Sequence, residues 1–177
     1  AYLSAGLPFE ERLLGKVLAA NPGLERIDTI QGLPLRKMEE PESGHQEDSD
    51  HGHEAGELDV HVWLSPRLAQ DMAKNIAAGL SRLYPQHSAQ FQKNLEVLIG
   101  DLKELDLRLG EALALMRGRP FLVYHPAFGY LGRDYGLRQI AVETGGKEPG
   151  SRYLARLIDT ARQEGVKVIF VQPQFPH

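Results

Sequence analysis

Four of the chain's seven histidines fall between Gly44 and Pro66. His45, His51 and His53 share a loop-like stretch with Glu47, Asp48, Asp50 and Glu54. His61 follows in Asp59-Val60-His61-Val62-Trp63-Leu64-Ser65-Pro66, and His125 stands apart in Val123-Tyr124-His125-Pro126. Imidazole nitrogens beside carboxylates suit a divalent transition metal, zinc above all. Zinc takes neutral imidazoles in a tetrahedral shell at about 2.0–2.1 Å, so His61 and His125 need at least one further ligand. A lone strand histidine is more often a satisfied or exposed residue than a ligand. The His-rich tract raises the weight of the ligand reading, and it reads itself as a solvated linker that gathers ions weakly. His87 follows a proline and reads as surface.

Other chemistries leave little trace. The chain has no cysteine, which excludes disulfides, thiolate zinc sites and cysteine nucleophiles. It lacks Gly-x-Ser-x-Gly, His-Glu-x-x-His and a glycine-rich phosphate loop. Thr144 to Gly150 is rich in glycine, but no Lys-Ser or Lys-Thr pair follows, so it reads as a connection. Glu143 could serve as a general base beside a metal, although nothing pairs it with a nucleophile.

The charge is unevenly spread. Nine acidic residues and no Lys or Arg lie between Glu39 and Asp59; against a net charge of -4 this leaves +5 on the rest. No basic stripe with interleaved aromatics accompanies it, which argues against a nucleic-acid surface. No apolar run approaches the roughly 18 residues of a membrane span, and no signal-peptide pattern is expected in the chain as it stands.

The elements that must position these histidines alternate. Leu3 to Leu7 reads as a strand turning at Gly6, and Pro8 opens a helix that Asn21-Pro22-Gly23 stops. Arg26 to Ile30 is a short strand. Leu58 to Leu64 alternates, with His61 and Trp63 opposite Leu58, Val60, Val62 and Leu64, and predicts a strand. Ser65-Pro66 caps a helix that buries Leu68, Met72, Ile76 and Leu80 and ends at Tyr84-Pro85. Phe91 to Met116 predicts one long helix of roughly 45 Å. Strands over Phe121 to Tyr124, Gln139 to Val142 and Val166 to Val171 then alternate with helices over Pro126 to Tyr135 and Ser151 to Glu164. Leu154, Leu157, Ile158 and Ala161 are the expected inward face of the last helix. This is an α/β pattern of mostly parallel sheets flanked by helices. It predicts an N-terminal lobe over residues 1–85, carrying the acidic His-rich loop 39–58. A long rigid linking helix over 86–117 and a C-terminal lobe over 118–177 complete the division. In such sheets ligands bind beyond the carboxyl ends of strands, where both His61 and His125 are expected.

The motif around His61, preceded by a His-rich acidic loop, resembles the zinc-binding periplasmic solute-binding proteins of ABC transporters. Tyr124-His125-Pro126-Ala127-Phe128-Gly129-Tyr130-Leu131, continuing to Tyr135-Gly136-Leu137, is similar to that family's second ligand motif. Val168 to Phe175 resembles its late strand, where a glutamate often stands at the position of Gln172, and Pro8-Phe9-Glu10 also fits. The resemblance implies His61 as one lobe's ligand and His125 as the other's. Manganese-binding relatives tend to have glutamate at the position of His125, so it implies Zn2+ rather than Mn2+. It implies that His45, His51 and His53 form a secondary, collecting metal site. It further implies capture of the ion in the periplasm, or otherwise outside the inner membrane, and delivery to an ABC permease, with no enzymatic step.

The family's first histidine ligand would precede Ala1, and a late acidic residue would follow His177. The chain is therefore expected to match the middle of a family member, with both lobes incomplete. Exposed sheet edges would then be covered by dimerisation or strand exchange. Two other readings are a metal-dependent hydrolase using His61, His125 and Glu143, and an adhesion or binding module on the same scaffold. Imidazole ligation predicts affinity that falls as pH drops through about 6.5, the ordinary imidazole value.

Overall fold

The computed structural model describes residues 1–38, 58–143 and 149–171. His45, His51, His53, Gln172, His177 and residues 144–148 lie outside them. Backbone contacts divide the chain into two units: Ala1–Leu35 with Val62–Glu111, and Arg36–His61 with Ala112–His177.

In the first unit, strand β1 (Tyr2–Ser4), helix α1 (Pro8–Ala20) and strand β2 (Arg26–Asp28) form a parallel βαβ arrangement. The β1–α1 turn is held by one side chain. Buried Glu10 accepts from the Ala5 and Leu7 N–H groups and from the Tyr2 hydroxyl, at 2.9 to 3.2 Å. Helix α2 (Pro66–Leu83) starts on Ser65, whose hydroxyl accepts the Leu68 N–H at 3.2 Å. Its deepest row is Leu68, Ala73 and Ala77, while Met72, Ile76 and Leu80 are half-buried. Gly79 completes the contact: a Cβ there would lie 2.6 Å from the Ile27 side chain, so only glycine lets the helix approach β2 this closely. Helix α3 (Ser88–Leu113) has 26 residues and buries none of them fully. At 1.5 Å per residue it is about 39 Å long.

In the second unit, strands β3 (Pro120–Val123), β4 (Arg138–Ala141) and β5 (Ile169–Phe170) form a parallel sheet in the order β4-β3-β5. Helix α4 (Gly129–Tyr135) connects β3 to β4, and α5 (Ser151–Gln163) connects β4 to β5. Successive crossovers thus land on opposite sides of β3. That reversal falls at the carboxyl end of β3, the position where open α/β sheets take their ligands. Leu122, Val142 and Leu157 form the core beneath it, with Tyr124, Ile140, Ala161 and Val166 packed around them.

Several expectations differ from the structure. Leu58 to Leu64 is not a strand: Leu58 makes a single antiparallel bridge to Lys37, and Val62–Leu64 is a 3-10 turn. Within Leu58 to Leu64 only Asp59 and Val62 are buried, three residues apart, whereas a strand would bury every second residue. Helix α4 begins at Gly129, later than Pro126, because the intervening N–H groups are taken by local acceptors described below. On α5 only the Leu157–Ala161 row lies on the core; Leu154 and Ile158 fall outside it and are exposed. The last strand is correspondingly short. Ile169 and Phe170 are 49% and 55% exposed, since among the described residues β5 has a neighbour on one side only.

Candidate metal centre

His125 is set by the sheet. It lies two residues beyond β3, and the Tyr124 N–H donates to the Phe170 carbonyl at 2.8 Å, continuing the pairing with β5. On the other side the Val142 and Glu143 N–H groups donate to the Val123 and Tyr124 carbonyls at 2.8 and 2.9 Å. The two strand exits therefore carry His125 and Glu143 side by side. The Glu143 carboxylate reaches His125 Nδ1 at 3.3 Å. The turn after His125 is tied down twice. The Ala127 N–H donates to the His125 carbonyl at 2.8 Å, and the Phe128 N–H donates to the buried Gln139 Oε1 at 2.7 Å.

His61 is set by side chains. Asp59 is buried, and its Oδ1 accepts the His61 backbone N–H at 3.0 Å while lying 2.8 Å from His61 Nδ1. The first of these is an Asx turn, in which an aspartate folds onto the N–H two residues later. Asp59 is itself held by backbone. Its N–H donates to the Arg36 carbonyl at 2.8 Å, and its carbonyl accepts the Tyr130 hydroxyl at 2.6 Å. The Tyr130 hydroxyl also accepts the Arg36 N–H at 3.0 Å. Burial pushes this hydroxyl above the ordinary tyrosine value, which keeps it a donor to Asp59. Gly129 makes room for the group. A Cβ there would run into the Arg36 guanidinium and lie 3.0 Å from Asp59 Oδ2.

The structure brings the two sequence-predicted histidines together. His61 Nε2 and His125 Nε2 are 3.3 Å apart, with ring centroids 5.1 Å apart and planes at 76°. The side chains are 15% and 21% exposed, so the pair opens to solvent without lying on the surface. Two ligands at 2.0–2.1 Å from one tetrahedral ion are about 3.3–3.4 Å apart. The observed separation could therefore span one ion with little movement of either ring. The distance also fits one proton shared between the nitrogens. In either case each ring turns its other nitrogen to a buried carboxylate, the arrangement that metal-bound histidines usually show. Among the described residues no group of three or more His, Cys, Asp or Glu side chains is arranged to hold a metal, so the pair offers two donors.

His125 lies at a strand end, as its motif predicts. His61 does not, because the preceding segment is an irregular turn; Asp59 and Tyr130 place it instead. The supporting residues Asp59, Gln139, Tyr130 and Gly129 were not singled out as functional from the sequence. Asp59 carried the clearest signal, since an aspartate two residues before a histidine is an Asx-turn pattern.

Two facing imidazoles beyond the central strand of a parallel α/β sheet stand where proteins of this α/β class take their ligands. The chain belongs to the family described as "Zinc-uptake complex component A periplasmic", which it matches over residues 1–177. This is a family of uptake components and not of enzymes, and the resemblance carried by the two histidine motifs is borne out. The chain is similar to the zinc-binding protein AdcA of Streptococcus pyogenes serotype M6, at 36% identity over 130 residues. That match covers 72% of this chain and 25% of AdcA. It is similar to the high-affinity zinc uptake system protein ZnuA of Bacillus subtilis, at 36% identity over 117 residues, covering 65% of this chain and 37% of the relative. A crystal structure of ZnuA superimposes with a TM-score of 0.85 at 35% identity, covering 99% of this chain and 63% of that one. The α/β fold with parallel sheets flanked by helices is thus shared. The chain spans about a quarter of the length of the AdcA relative and under two thirds of the ZnuA structure.

Proposed function

We propose that this chain is the metal-capturing part of an extracytoplasmic receptor that binds Zn2+ and hands it to the membrane permease of an ABC uptake system. His61 and His125 are the ligands it contributes, each through Nε2. The observation that carries this reading is the 3.3 Å approach of the two Nε2 atoms, the edge of a tetrahedral zinc shell. The names of the relatives, AdcA and ZnuA, support zinc as the cargo. Two imidazoles favour zinc over Mn2+, which suits carboxylate, carbonyl and water ligands better. The remaining coordination is supplied by water or by groups beyond this pair.

The ion is cargo, and no bond in it is made or broken. The hydrolase alternative would need a base free to act on water, whereas Glu143 is turned to His125 Nδ1 at 3.3 Å. His45, His51 and His53 act as a collector that raises the local ion concentration, and the tight site does not depend on them.

Crystals of the zinc-loaded chain test the reading. Anomalous scattering at the zinc edge is expected to place one ion within about 2.0–2.1 Å of both Nε2 atoms. An ion bound elsewhere, with the two nitrogens still facing each other, would overturn the assignment.

A further inference from the structure

Resting on that reading of His61 and His125, we infer that Asp59 and Glu143 are positioning residues that hold both imidazoles as Nδ1–H tautomers, so that both Nε2 lone pairs converge on one point before an ion arrives. A neutral imidazole carries its proton on either nitrogen, and only the bare nitrogen can ligate. In solution the choice is open. Here a buried carboxylate sits on Nδ1 of each ring, 2.8 Å away at His61 and 3.3 Å away at His125. An ionised carboxylate accepts and does not donate, so it selects the tautomer with the proton on its side. Burying that carboxylate without a donor is costly, and the imidazole N–H helps to offset the cost.

The two supports are unequal. The 2.8 Å contact lies in the range of charge-assisted hydrogen bonds, and the 3.3 Å contact is long for one. Asp59 also grips the His61 backbone N–H, so it fixes where the ring starts as well as how it turns. Glu143 fixes only the turn of a ring whose backbone the sheet already holds. Asp59 is therefore the stronger positioning residue. The consequence for metal capture is kinetic as well as energetic. The chain presents a ready donor pair, and neither ring has to change tautomer when the ion enters.

The test uses long-range proton–nitrogen correlation spectra of the zinc-free full chain at mildly alkaline pH, which read the tautomer of each imidazole directly. The parent is expected to show protonated Nδ1 on both His61 and His125. A bare Nδ1 on either ring in the parent overturns the inference, and this reading needs no variant to fold. Zinc titrations then compare Asp59→Ala, Asp59→Asn, Glu143→Ala and Glu143→Gln, each checked for native circular dichroism. Each alanine variant is expected to gain the Nε2–H tautomer at its own histidine and to lose about 10–100-fold in zinc affinity, Asp59→Ala the more. The amides keep an acceptor oxygen and are expected to restore the tautomer and part of the affinity. Folded alanine variants with the parent's tautomers and affinity would overturn the positioning role. If His61→Ala and His125→Ala still abolish tight binding in that case, the receptor reading stands and only the positioning inference fails. If the histidine variants also bind as the parent does, both fail.

Discussion

His61 and His125 bring the same atom to within 3.3 Å of each other, yet the chain builds the two positions by different means. His125 continues a strand. Backbone hydrogen bonds to β5 on one side and to the segment after β4 on the other hold it, whatever the neighbouring side chains are. His61 continues nothing regular. Asp59, Tyr130 and the gap left by Gly129 hold it, each a single residue. A side chain set by a sheet should lose less when one supporting side chain is removed than a side chain held by other side chains.

The largest expected effect removes the comparison altogether. Zinc binding by a full ligand set is worth about 10–16 kcal/mol, or about 3 kcal/mol per ligand. His61→Ala and His125→Ala should therefore each weaken binding on the order of 100-fold, by similar amounts, in a competition assay with a zinc chelator. Strongly unequal losses would mean that one of the two is not a donor.

Acidification comes next. On the proposed ligation, protons and zinc compete for the same Nε2 lone pairs, so affinity should fall as pH falls. Up to two protons per ion should be displaced. Titrations in buffers of different ionisation enthalpy count them, and affinity that does not change with pH would remove imidazole ligation from the account.

Supporting residues separate the two sides. Tyr130→Phe deletes the hydroxyl shared by the half-buried Arg36 N–H and the buried Asp59 carbonyl, removing one partner from each. A loss of about 1–3 kcal/mol in urea unfolding is expected, together with weaker zinc binding through a displaced His61. Gln139→Leu removes the acceptor for the Phe128 N–H at a comparable cost to stability. Its effect on zinc should be smaller, because the sheet still holds His125. Equal effects on affinity would contradict the distinction between the two positions.

That distinction also explains what was legible in the sequence. The strand before His125 is short, apolar and bounded by turn residues, and its neighbours repeat the pattern, so its exit and the histidine on it could be read. The α/β alternation, the Ser65-Pro66 cap and the long helix were legible for the same reason: each rests on a period or a local cap. The stretch from Leu58 to Leu64 alternates like a strand, but its conformation is set by Asp59 folding onto His61 and by partners distant in sequence. Tyr130 lies 71 residues from Asp59, and no periodicity announces that contact. The exposed Leu154 and Ile158 fail for a related reason. Amphipathic spacing marks a face of α5, but the width of the sheet beneath decides how much of that face is covered.

The smallest effect is expected furthest from the pair. Deleting residues 45–53 should leave the affinity of the main site unchanged and remove only weakly bound extra ions, as counted by equilibrium dialysis. Loss of all binding on that deletion would move the site into the loop.

The most direct measurement is calorimetric titration of zinc into the full chain, beside the same titration of a variant carrying both His61→Ala and His125→Ala. One tight ion in the parent, with only weak residual binding in the variant, is the predicted result. Two superimposable titrations would contradict the account, because the facing imidazoles would then contribute nothing to zinc capture.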